Sequence, residues 1–532
     1  MNKKLNLKWV SEVIGREYRK WSKGNIVKIQ AQTGTGKTHF IFTRVVPYFC
    51  TKKILYICNR TNLKRQIKKD LLKQFNKEYD LTIEALDKIT QIGNVTITSY
   101  HAIQNGELDT EYFEMENSNI NYDLIVMDEC HYIFSDASFN NNCRIAFDKL
   151  LKEQNNNAIK IFISATMDEI NQAINFTINE SSKNGWTYKT GIDYSYLDIK
   201  YFKNINNIVQ MIKNDVTNDK WLIFVTNKNM GNNIIKNIGK DKATFVNAGT
   251  KNSKELNNII TKSKFDNKVL VTTKILDNGV NIKDELVKHI VIMAWDKTTF
   301  IQMLGRKRID IENAENINLY INTRYKKSFR ANLTWFEKAR KEVKLYTKDR
   351  VGFSRKYDND IKKLSILNNL FYKQKNGDWQ LNQVGNYRLL LDIYNTQEII
   401  NRFKNEDEFA FIREQLEWLE MGHTFNKNNL IEDVINMEKK QDLEMFLKEA
   451  FDNDKRFDKN DFIECIETII KSNLGDNLEN ILNKLNGRHE KRNKGMKIYN
   501  QLFDLLELKY VVSSKRFRKN NNLKTKWIIT RI

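Results

Sequence analysis

The sequence predicts an α/β protein that has two parallel-sheet domains in tandem, then a mainly helical region and a basic terminal hairpin. Short apolar runs alternate with longer amphipathic runs over residues 24–166, and the alternation resumes over residues 221–295. Such alternation is typical of βαβ units, whose right-handed crossovers build a parallel sheet that is covered on both faces. At 532 residues the chain is also too long for one hydrophobic core, which independently predicts several domains.

The first domain contains five apolar runs that we expect to be buried strands. They are IVKIQ (26–30), ILYIC (54–58), VTIT (95–98), LIVMD (124–128) and IKIFIS (159–164). A polar stretch, NESSKNGWTYKTG (179–191), then interrupts the pattern. We therefore expect the first domain to span residues 1–180.

A second domain of the same class is predicted over residues 190–328. Its apolar runs are WLIFVT (221–226), ATFVN (243–247), KVLVTT (268–273) and HIVIMAW (289–295). Beyond it the periodicity becomes helical, in segments such as FRANLTWFEKARKEVKLYTK and FAFIREQLEWLEMG. This helical accessory domain is expected over residues 329–483 and carries no chemical motif, so a wedge for strand separation or a partner surface would both suit it.

The last 49 residues, 484–532, form a separate basic element with 14 Lys/Arg against 3 Asp/Glu. A predicted helix, IYNQLFDLLEL, precedes two strands, KYVVSSKRF and TKWIITRI, that are joined by a polar turn. This arrangement favours a small nucleic-acid-binding element similar to a winged helix. The alternative is a solvated basic tail that packs on the helical domain.

The overall charge points to a polyanionic partner. The chain has 88 basic and 66 acidic residues, a net charge of +22, and nucleic acid is the usual partner of such a protein. A merely soluble basic protein is the alternative. The cysteines are scattered without a CxxC pair, and no stretch has the length of a signal peptide core or a membrane span. We therefore expect a soluble, cytoplasmic protein that contacts no membrane.

The stretch QAQTGTGKTHF (30–40) has the composition of a phosphate-binding loop between a strand and a helix. Gly34 and Gly36 allow the tight backbone whose N–H groups point at phosphate oxygens. Lys37 would neutralise the outer phosphates of a nucleotide, and Thr38 would offer its hydroxyl to Mg²⁺. Ala31 occupies the first position, where the strict pattern has glycine.

A matching acidic pair follows the fourth predicted strand, in LIVMDECH (124–131). Asp128 and Glu129 would lie at the carboxyl edge of the sheet, where ligands bind in such folds. Asp128 would hold Mg²⁺ and Glu129 would orient and deprotonate an attacking water. An ordinary strand end with two solvated acids is the alternative.

With these motifs the sequence resembles the superfamily 2 helicases, and in particular their DExH branch. Residues 31–38 are similar to the AxTGxGKT variant of that family, and Asp128-Glu129-Cys130-His131 is similar to its acidic motif. The resemblance covers roughly residues 24–325. It implies two RecA-like domains, ATP and Mg²⁺ as cofactors, and ATP contacts from the loop and the second domain: Thr33, Gly34, Thr35, Gly36, Lys37, Thr38, Gly279 and Asn281.

Further motifs of the family appear in the expected order. The resemblance implies nucleic-acid contacts from four segments, ILYICNRTNLKRQ, VTITSYHAI, IFVTNKNM and VTTKILDNGVN. The residues concerned are Arg60, Thr61, Thr98, Ser99, Thr226 and Thr273. Ser164 and Thr166, in the SAT tripeptide, would couple the nucleotide state to strand separation.

The sixth motif departs from the usual QxxGRxxR pattern, because in QMLGRKR (302–308) the second arginine comes one residue early. The resemblance places Gln302, Arg306 and Arg308 at the nucleotide cleft, together with His131. The role of transition-state arginine falls on Arg306 or Arg308 without a choice between them. The shorter form resembles helicases of phages, large viruses and mobile elements.

These observations favour an ATP-dependent helicase or translocase that acts on DNA, more than RNA, in phage, plasmid or mobile-element replication. Replication proteins would be its further partners. An RNA helicase and an ATP-switched binding module that recruits partners, for example in defence, are the alternatives. Trp295 and Trp335 would either stack on bases or pack in the core.

Overall fold

The structure is a computed structural model, and it divides the chain into two compact units. The first comprises Met1–Asp198 with Asn218–Phe425, and the second comprises Ile199–Thr217 with Asn426–Ile532. The residues described are 3–58, 61–75, 82–105, 122–153, 157–177, 185–247, 249, 256, 259, 262–274, 281–358, 369–374, 376–471, 495–506, 508–519 and 522–531.

The first unit begins with a seven-stranded sheet in the order β3-β4-β2-β5-β6-β1-β7. All neighbours are parallel except β3 and β4. Strands β1, β2, β4, β5 and β6 are the five predicted ones. The bounds are β1 Ile26–Gln30, β2 Ile54–Cys58, β3 Gln91–Ile92, β4 Val95–Ser99, β5 Leu124–Asp128, β6 Ile159–Ser164 and β7 Gly185–Lys189.

Strand β7 corrects the expectation that residues 179–191 only interrupt the pattern. It pairs in parallel with β1 along its whole length, from Ile26 opposite Gly185 to Gln30 opposite Lys189. Only Tyr188 of this strand is buried. Because an edge strand covers so little of the core, it needs no apolar run, and a search for such runs misses it.

The next six strands are β8 Leu197–Phe202, β9 Lys220–Phe224, β10 Ala243–Val246, β11 Val269–Thr272, β12 Val287–Ile292 and β13 Ile317–Asn322. Within the first unit, the last five are parallel in the order β10-β11-β9-β12-β13. Four of these correspond to the predicted runs, and β13, with the sequence INLYIN, is additional. The two successive parallel sheets confirm the predicted fold class.

Helices cover both sheets, and most are short in the first domain. Those of the α/β part are Val10–Ile14, Lys37–Phe40, Val46–Tyr48, Thr61–Gln74, Ile83–Lys88, Tyr100–Gln104, Tyr132–Ser135, Cys143–Phe147, Met167–Thr177, Lys228–Ile238 and Lys297–Leu304. Two turns of π-helix, Ile41–Val45 and Asp148–Glu153, extend the helices that precede them.

The helical region of the first unit contains Lys326–Lys348, Arg350–Asp358, Gln383–Asn405 and Ala410–Trp418. A small antiparallel pair, β14 Phe371–Lys373 and β15 Trp379–Leu381, lies between them in the chain. Phe353, Phe371 and Trp379 are buried in its core, and the Tyr346 hydroxyl donates a hydrogen bond to the main-chain oxygen of Trp379 at 2.9 Å. Among the described residues, every helix is too short or too polar to cross a bilayer.

In the part of the chain that the structure describes, the second unit combines four α-helices with the terminal hairpin. Its helices are Ile205–Asn214, Ile431–Asp452, Lys459–Lys471 and Met496–Leu505, and its hairpin is β16 Tyr510–Lys519 with β17 Asn522–Arg531. Leu447, Phe462, Phe503 and Trp527 are buried in one core that joins three of the helices to the hairpin. The Glu432 carboxylate accepts hydrogen bonds from the main-chain N–H groups of Lys203 and Asn204, so the segment 199–217 is fixed to this unit.

The predicted boundaries, 1–180, 190–328, 329–483 and 484–532, stay predictions. The two compact units divide the chain differently. Residues 199–217 belong to the C-terminal unit, and the predicted helical domain is split after Phe425. The predicted strands KYVVSSKRF and TKWIITRI are β16 and β17, whereas residues 484–494 of the basic element lie outside the described residues.

Candidate active site

The candidate site lies where β1, β5 and β6 end side by side. In a parallel sheet the residues after neighbouring strands emerge at one edge, so the glycine-rich loop, the acidic pair and the SAT tripeptide come together. The main-chain N–H of Ala31 donates to the carbonyl oxygen of Ser164 at 3.1 Å, which continues the β1–β6 pairing into both loops.

The loop has the backbone that its glycines allow. Gly34 and Gly36 have φ values of +97° and +80°, in the region that disfavours other residues. Ala31 is buried and is not among the residues with positive φ, which explains why a methyl group is tolerated there. Gly36 precedes the helix that begins at Lys37, so that helix starts directly at the loop.

The Lys37 ammonium group lies at the centre of the site. Its Nζ donates to the Ala31 carbonyl oxygen at 3.0 Å and is 3.9 Å from Oε1 of Glu129. The Thr35 hydroxyl is buried and donates to the Gln32 carbonyl oxygen at 2.8 Å, so it supports the loop from within. A flexible cation above a glycine-rich loop is the arrangement that binds phosphate groups.

The Asp128 side chain is buried, and only one of its two carboxylate oxygens accepts a hydrogen bond from a described residue. Its Oδ2 accepts a hydrogen bond from the Tyr56 hydroxyl at 2.7 Å, and Oδ1 has no hydrogen-bond partner among the described residues. The Tyr56 hydroxyl also lies close enough to Thr38 for that side chain to influence its pKa, so Tyr56 neighbours both predicted magnesium ligands. Burial, and then the charge of Glu129, raise the pKa of Asp128 to about 6. An oxygen ligand that lacks a partner beside a threonine hydroxyl fits a hydrated Mg²⁺ ion.

Glu129 has the opposite electrostatic environment. Burial raises the pKa of its carboxyl group, but the nearby charges of Lys37, His131 and Arg306 outweigh burial and lower it. Its φ of +50° is unusual for a side-chain-bearing residue and turns the chain sharply after β5. The residue is therefore held as a carboxylate in a strained backbone position, which is a common feature of active sites.

His131 links the acidic motif to the SAT tripeptide. Its Nδ1 lies 3.3 Å from Oε2 of Glu129 and 3.1 Å from the Ser164 hydroxyl. Ser164 Oγ in turn accepts from the main-chain N–H of Thr166 at 3.0 Å. Burial lowers the pKa of His131, and the charge of Glu129 opposes that shift, while the imidazole bridges the two loops.

The second domain reaches the same site through the helix Lys297–Leu304 and the residues after it. Gln302 Nε2 donates to Oε2 of Glu129 at 3.4 Å. Arg306 donates from Nη2 to the Gln302 side-chain oxygen at 2.7 Å and from Nε to its main-chain oxygen at 3.0 Å. A methyl group added at Gly305 would lie 2.7 Å from the Thr33 hydroxyl, so the two domains touch at the loop itself.

Arg308 lies beside Arg306 with a different partner. Its Nε donates to Oδ1 of Asn281 at 2.8 Å. Burial, and then the charge of Arg306, lower its pKa to about 10, and the attraction of Glu129 and Asp128 compensates only in part. A desolvated guanidinium of this kind has an affinity for an added anion.

The predicted nucleic-acid contacts fall in different places. Thr98 and Ser99 are buried, and Ser99 Oγ accepts from the N–H of Ala102 as the cap of the helix Tyr100–Gln104. Thr226 and Thr273 instead line a cavity of ≈ 940 Å³ within the first unit. Thr61 begins the helix Thr61–Gln74, whereas Arg60 and the predicted nucleotide contact Gly279 lie outside the described residues.

Two contributors were not predicted from the sequence. Tyr56 is in the middle of the apolar run ILYIC, where a tyrosine gives no signal of its own. The Thr298 hydroxyl donates to the Glu169 carboxylate and lies within hydrogen-bonding distance of the Thr166 hydroxyl at 3.3 Å, so it joins the second domain to the SAT loop. Both residues are identified only by contacts between distant segments.

Two family models match the chain in succession. The model described as the type III restriction enzyme res subunit matches residues 6–169, and the model described as the helicase conserved C-terminal domain matches residues 203–309. No curated protein matches the chain.

Parts of the chain are similar to solved structures at low sequence identity. S. cerevisiae Dbp5 bound to RNA and ADP BeF3 is 18% identical, with 56% of this chain and 78% of that chain covered at a TM-score of 0.42. Mycobacterium smegmatis helicase Lhr bound to ssDNA and AMP-PNP is 11% identical, with 59% and 45% covered at 0.40. A fragment of a putative HsdR subunit of a type I restriction enzyme from Vibrio vulnificus is 16% identical, with 56% and 59% covered at 0.36.

Proposed function

We propose that this chain, a superfamily 2 helicase, moves along single-stranded DNA by closing and opening its two α/β domains around ATP. Hydrolysis of ATP coupled to unwinding or translocation of nucleic acid is the activity of the family. The observation that carries the proposal is the contact of Gln302 with Glu129 across the cleft, next to Lys37 and the two arginines.

In this proposal the glycine-rich loop and Lys37 bind the phosphates of ATP from the first domain. Thr38 and Asp128 would hold Mg²⁺, which would supply neutralisation of charge on the phosphate oxygens. Glu129 remains ionised and accepts a proton from the attacking water, while Gln302 holds the Glu129 carboxylate in place. Arg306 and Arg308 approach from the second domain, so closure of the cleft depends on the outer phosphate.

DNA as the substrate is the more specific part of the proposal. The short QMLGRKR motif resembles helicases of phages and mobile elements, and the model that matches the first domain describes a subunit of a restriction enzyme. Replication of phage, plasmid or mobile-element DNA is the setting we propose, with replication proteins as partners. DNA-stimulated ATP hydrolysis that exceeds RNA-stimulated hydrolysis is the expected result.

The proposal is tested by removing the lysine and the base separately. We expect Lys37→Ala and Glu129→Gln each to abolish nucleic-acid-stimulated ATP hydrolysis, because the first loses the phosphate partner and the second loses the proton acceptor. Release of phosphate with and without DNA or RNA is the measurement. Lys52→Ala, at a lysine of the same domain that is 46% exposed, is the matched control.

Turnover near that of the wild type in both variants would contradict the proposal. A strand-displacement assay with 3′ and 5′ single-stranded tails, on DNA and on RNA, then gives polarity and substrate together. ATP turnover that is slow and yields no strand displacement would favour the ATP-switched binding module instead.

A further inference from the structure

The cavity of ≈ 940 Å³ lies at the carboxyl edge of the second sheet. Thr226, Thr273 and Trp295, which follow β9, β11 and β12, form one wall. The helices Lys326–Lys348 and Gln383–Asn405 form another. Its volume is at the upper end of the range of about 300–1,000 Å³ that ligand pockets occupy. The space is therefore large enough for an organic ligand and has neutral hydroxyl groups on one side.

Trp295 is held so that part of its ring faces this space. The Arg324 guanidinium lies 3.6 Å from the centre of the indole ring, and Phe329 contacts the ring edge-on at 5.5 Å. Arg324 is itself fixed by a 2.6 Å hydrogen bond from Nη2 to the Met293 carbonyl oxygen. With one face covered, the indole is still 36% exposed. A rigid aromatic surface of this kind loses little entropy when a planar ligand binds to it.

Trp335 lines the same cavity from the helix Lys326–Lys348. It is 47% exposed and touches Phe336 edge-on at 5.5 Å. A core residue of this size would be almost fully covered, so packing does not account for either tryptophan. Two large, half-exposed indoles in one cavity indicate a surface that receives another flat, apolar group.

The charges that line the cavity indicate whether it is suited to the bases or to the phosphates of a nucleic acid. Its lining contains three basic residues and six carboxylates, Asp168, Glu169, Asp296, Asp392, Glu414 and Glu417. Several are paired, as Lys297 with Asp168 at 3.8 Å and Arg388 with Asp392 at 2.9 Å, so few cations remain for phosphates. An acidic lining repels the backbone of a nucleic acid, whereas carboxylates accept hydrogen bonds from amino groups of bases.

We infer that Trp295 and Trp335 stack on the bases of a single strand whose phosphates remain toward the cavity mouth. The inference rests on the proposed function, because it names the part of the nucleic acid that this cavity holds. Bases of a duplex already stack on one another, so only an unpaired strand presents free ring faces. The two tryptophans are thus specificity-determining residues for single-stranded substrate.

The test compares strands with and without bases. We measure the binding of a labelled single-stranded DNA of mixed sequence, an RNA of the same sequence, and an abasic DNA of the same length by fluorescence anisotropy. The wild type should bind the base-bearing strands more tightly than the abasic one. Trp295→Leu and Trp335→Ala should each weaken binding of the base-bearing strands roughly 5- to 100-fold and leave abasic binding within about twofold. The phenylalanine variants should restore most of the affinity.

Controls separate the inference from folding and from the proposed function. Tyr394→Ala changes an aromatic residue that is 63% exposed but does not line the cavity, and it should change no affinity. Hydrolysis of ATP without nucleic acid should be unchanged in all variants, and Trp335→Ala, at a helix surface, carries the test if Trp295→Leu does not fold. Equal loss for base-bearing and abasic strands, or no loss for either, would overturn the inference alone. Failure of the wild-type protein to bind any strand would overturn the proposed function with it.

Discussion

Asp128 and Glu129 are adjacent in the chain, yet their carboxyl groups have pKa values that are shifted in opposite directions. Burial and the neighbouring Glu129 raise the pKa of Asp128 to about 6. Burial also acts on Glu129, but Lys37, His131 and the arginines lower its pKa. The charged form of one carboxyl group is therefore unfavourable until a cation arrives, and the other group is an anion throughout.

The raised pKa of Asp128 predicts that its ionisation lowers the free energy of unfolding when nucleotide and metal are absent. Its folded pKa exceeds its unfolded value, so this residue contributes stability that is fully present below the unfolded pKa of about 4 and is lost as pH rises through about 6. We expect Asp128→Asn to raise the free energy of unfolding at about pH 8 by about 1–3 kcal/mol and to change it little at about pH 4. Urea unfolding at the two pH values measures this.

Asp123→Asn is the matched control, because Asp123 is near the start of the same strand with 28% of its side chain exposed. A gain from Asp128→Asn that is equal at both pH values would show that the side-chain amide stabilises by hydrogen bonding instead of by removing a charge. The same variant should lose activity, which separates its effect on stability from its role in binding Mg²⁺.

Arg308, the early second arginine of QMLGRKR, is the group that we expect to stabilise the negative charge of the transition state of ATP hydrolysis. Arg306 donates two hydrogen bonds to Gln302, whereas Arg308 donates from Nε to Asn281. The pKa of Arg308 is lowered to about 10. We expect Arg308→Ala to reduce ATP turnover on the order of a thousandfold while nucleotide affinity changes little, because the arginine acts mainly on the transition state.

Arg306→Ala should behave differently, since it removes a partner of Gln302 inside the buried contact. It should lower both the unfolding temperature and turnover, and single-turnover kinetics with a thermal scan distinguish the two variants. If Arg306→Ala alone removed turnover without a change in stability, the assignment would be reversed.

At the scale of an element, the terminal hairpin has two halves with different roles. Its base, at Val512, Trp527 and Ile529, is buried in the core of the second unit. Its outer half is largely exposed and carries a cluster of cations that includes Lys515, Arg516, Arg518, Lys524 and Lys526. Lys515 is directly opposite Lys526, and the Asp458 carboxylate pairs with the Lys526 ammonium group. The arrangement supports the proposal that this hairpin contacts a phosphate backbone.

Neutralising this outer half should weaken nucleic-acid binding and its dependence on salt. We expect the triple variant Lys515→Gln, Arg516→Gln and Arg518→Gln to bind duplex DNA more weakly. The slope of log affinity against log salt should fall by about 0.9 for each phosphate that the variant no longer neutralises. Binding measured over a series of salt concentrations gives the slope.

The control triple variant is Lys448→Gln, Lys455→Gln and Lys459→Gln, on the helices of the same unit and the turn between them. A matching loss in both triple variants would show that the net charge of the unit, and not the hairpin, attracts the DNA. An unchanged slope in the hairpin variant would exclude the hairpin as a site of phosphate binding.

At the scale of the whole molecule, the two α/β domains are joined by a chain of polar contacts. It runs from Thr298 in the second domain through Thr166 and Ser164 to His131 and Glu129 in the first. The helix Lys297–Leu304, which carries Thr298, also lines the cavity through Lys297 and Thr299, so these contacts connect the proposed nucleotide site with the cavity. Coupling of this kind is reciprocal: ATP changes the affinity for nucleic acid by the factor by which nucleic acid changes the affinity for ATP.

Removing the Thr298 hydroxyl should uncouple the domains without removing either site. We expect Thr298→Val to keep ATP hydrolysis without nucleic acid within about twofold and to reduce its stimulation by nucleic acid about fivefold or more, a coupling loss of about 1 kcal/mol. Steady-state hydrolysis at increasing concentrations of single-stranded DNA measures this. Thr347→Val, at a helix-surface threonine, is the control. Full stimulation in Thr298→Val would show that the hydroxyl contact does not transmit the signal.

From the sequence alone we predicted the fold class and the family, and also the nucleotide motifs, which stay a prediction. Buried parallel strands have to be apolar throughout, and a phosphate loop needs glycines and a lysine at fixed spacing, so both leave a local pattern. Edge strand β7 left none, since only Tyr188 of it is buried.

Which side chains come into contact became clear only from the folded chain. That Tyr56 donates a hydrogen bond to Asp128, and that Trp295 and Trp335 share an acidic cavity, depends on residues far apart in the chain. Burial, the charge around a group and the exposure of a ring face depend on side chains from several segments of the chain. A local sequence pattern therefore predicts which chemical groups a motif contains. Only the folded chain determines which residues those groups contact and whether they are ionised.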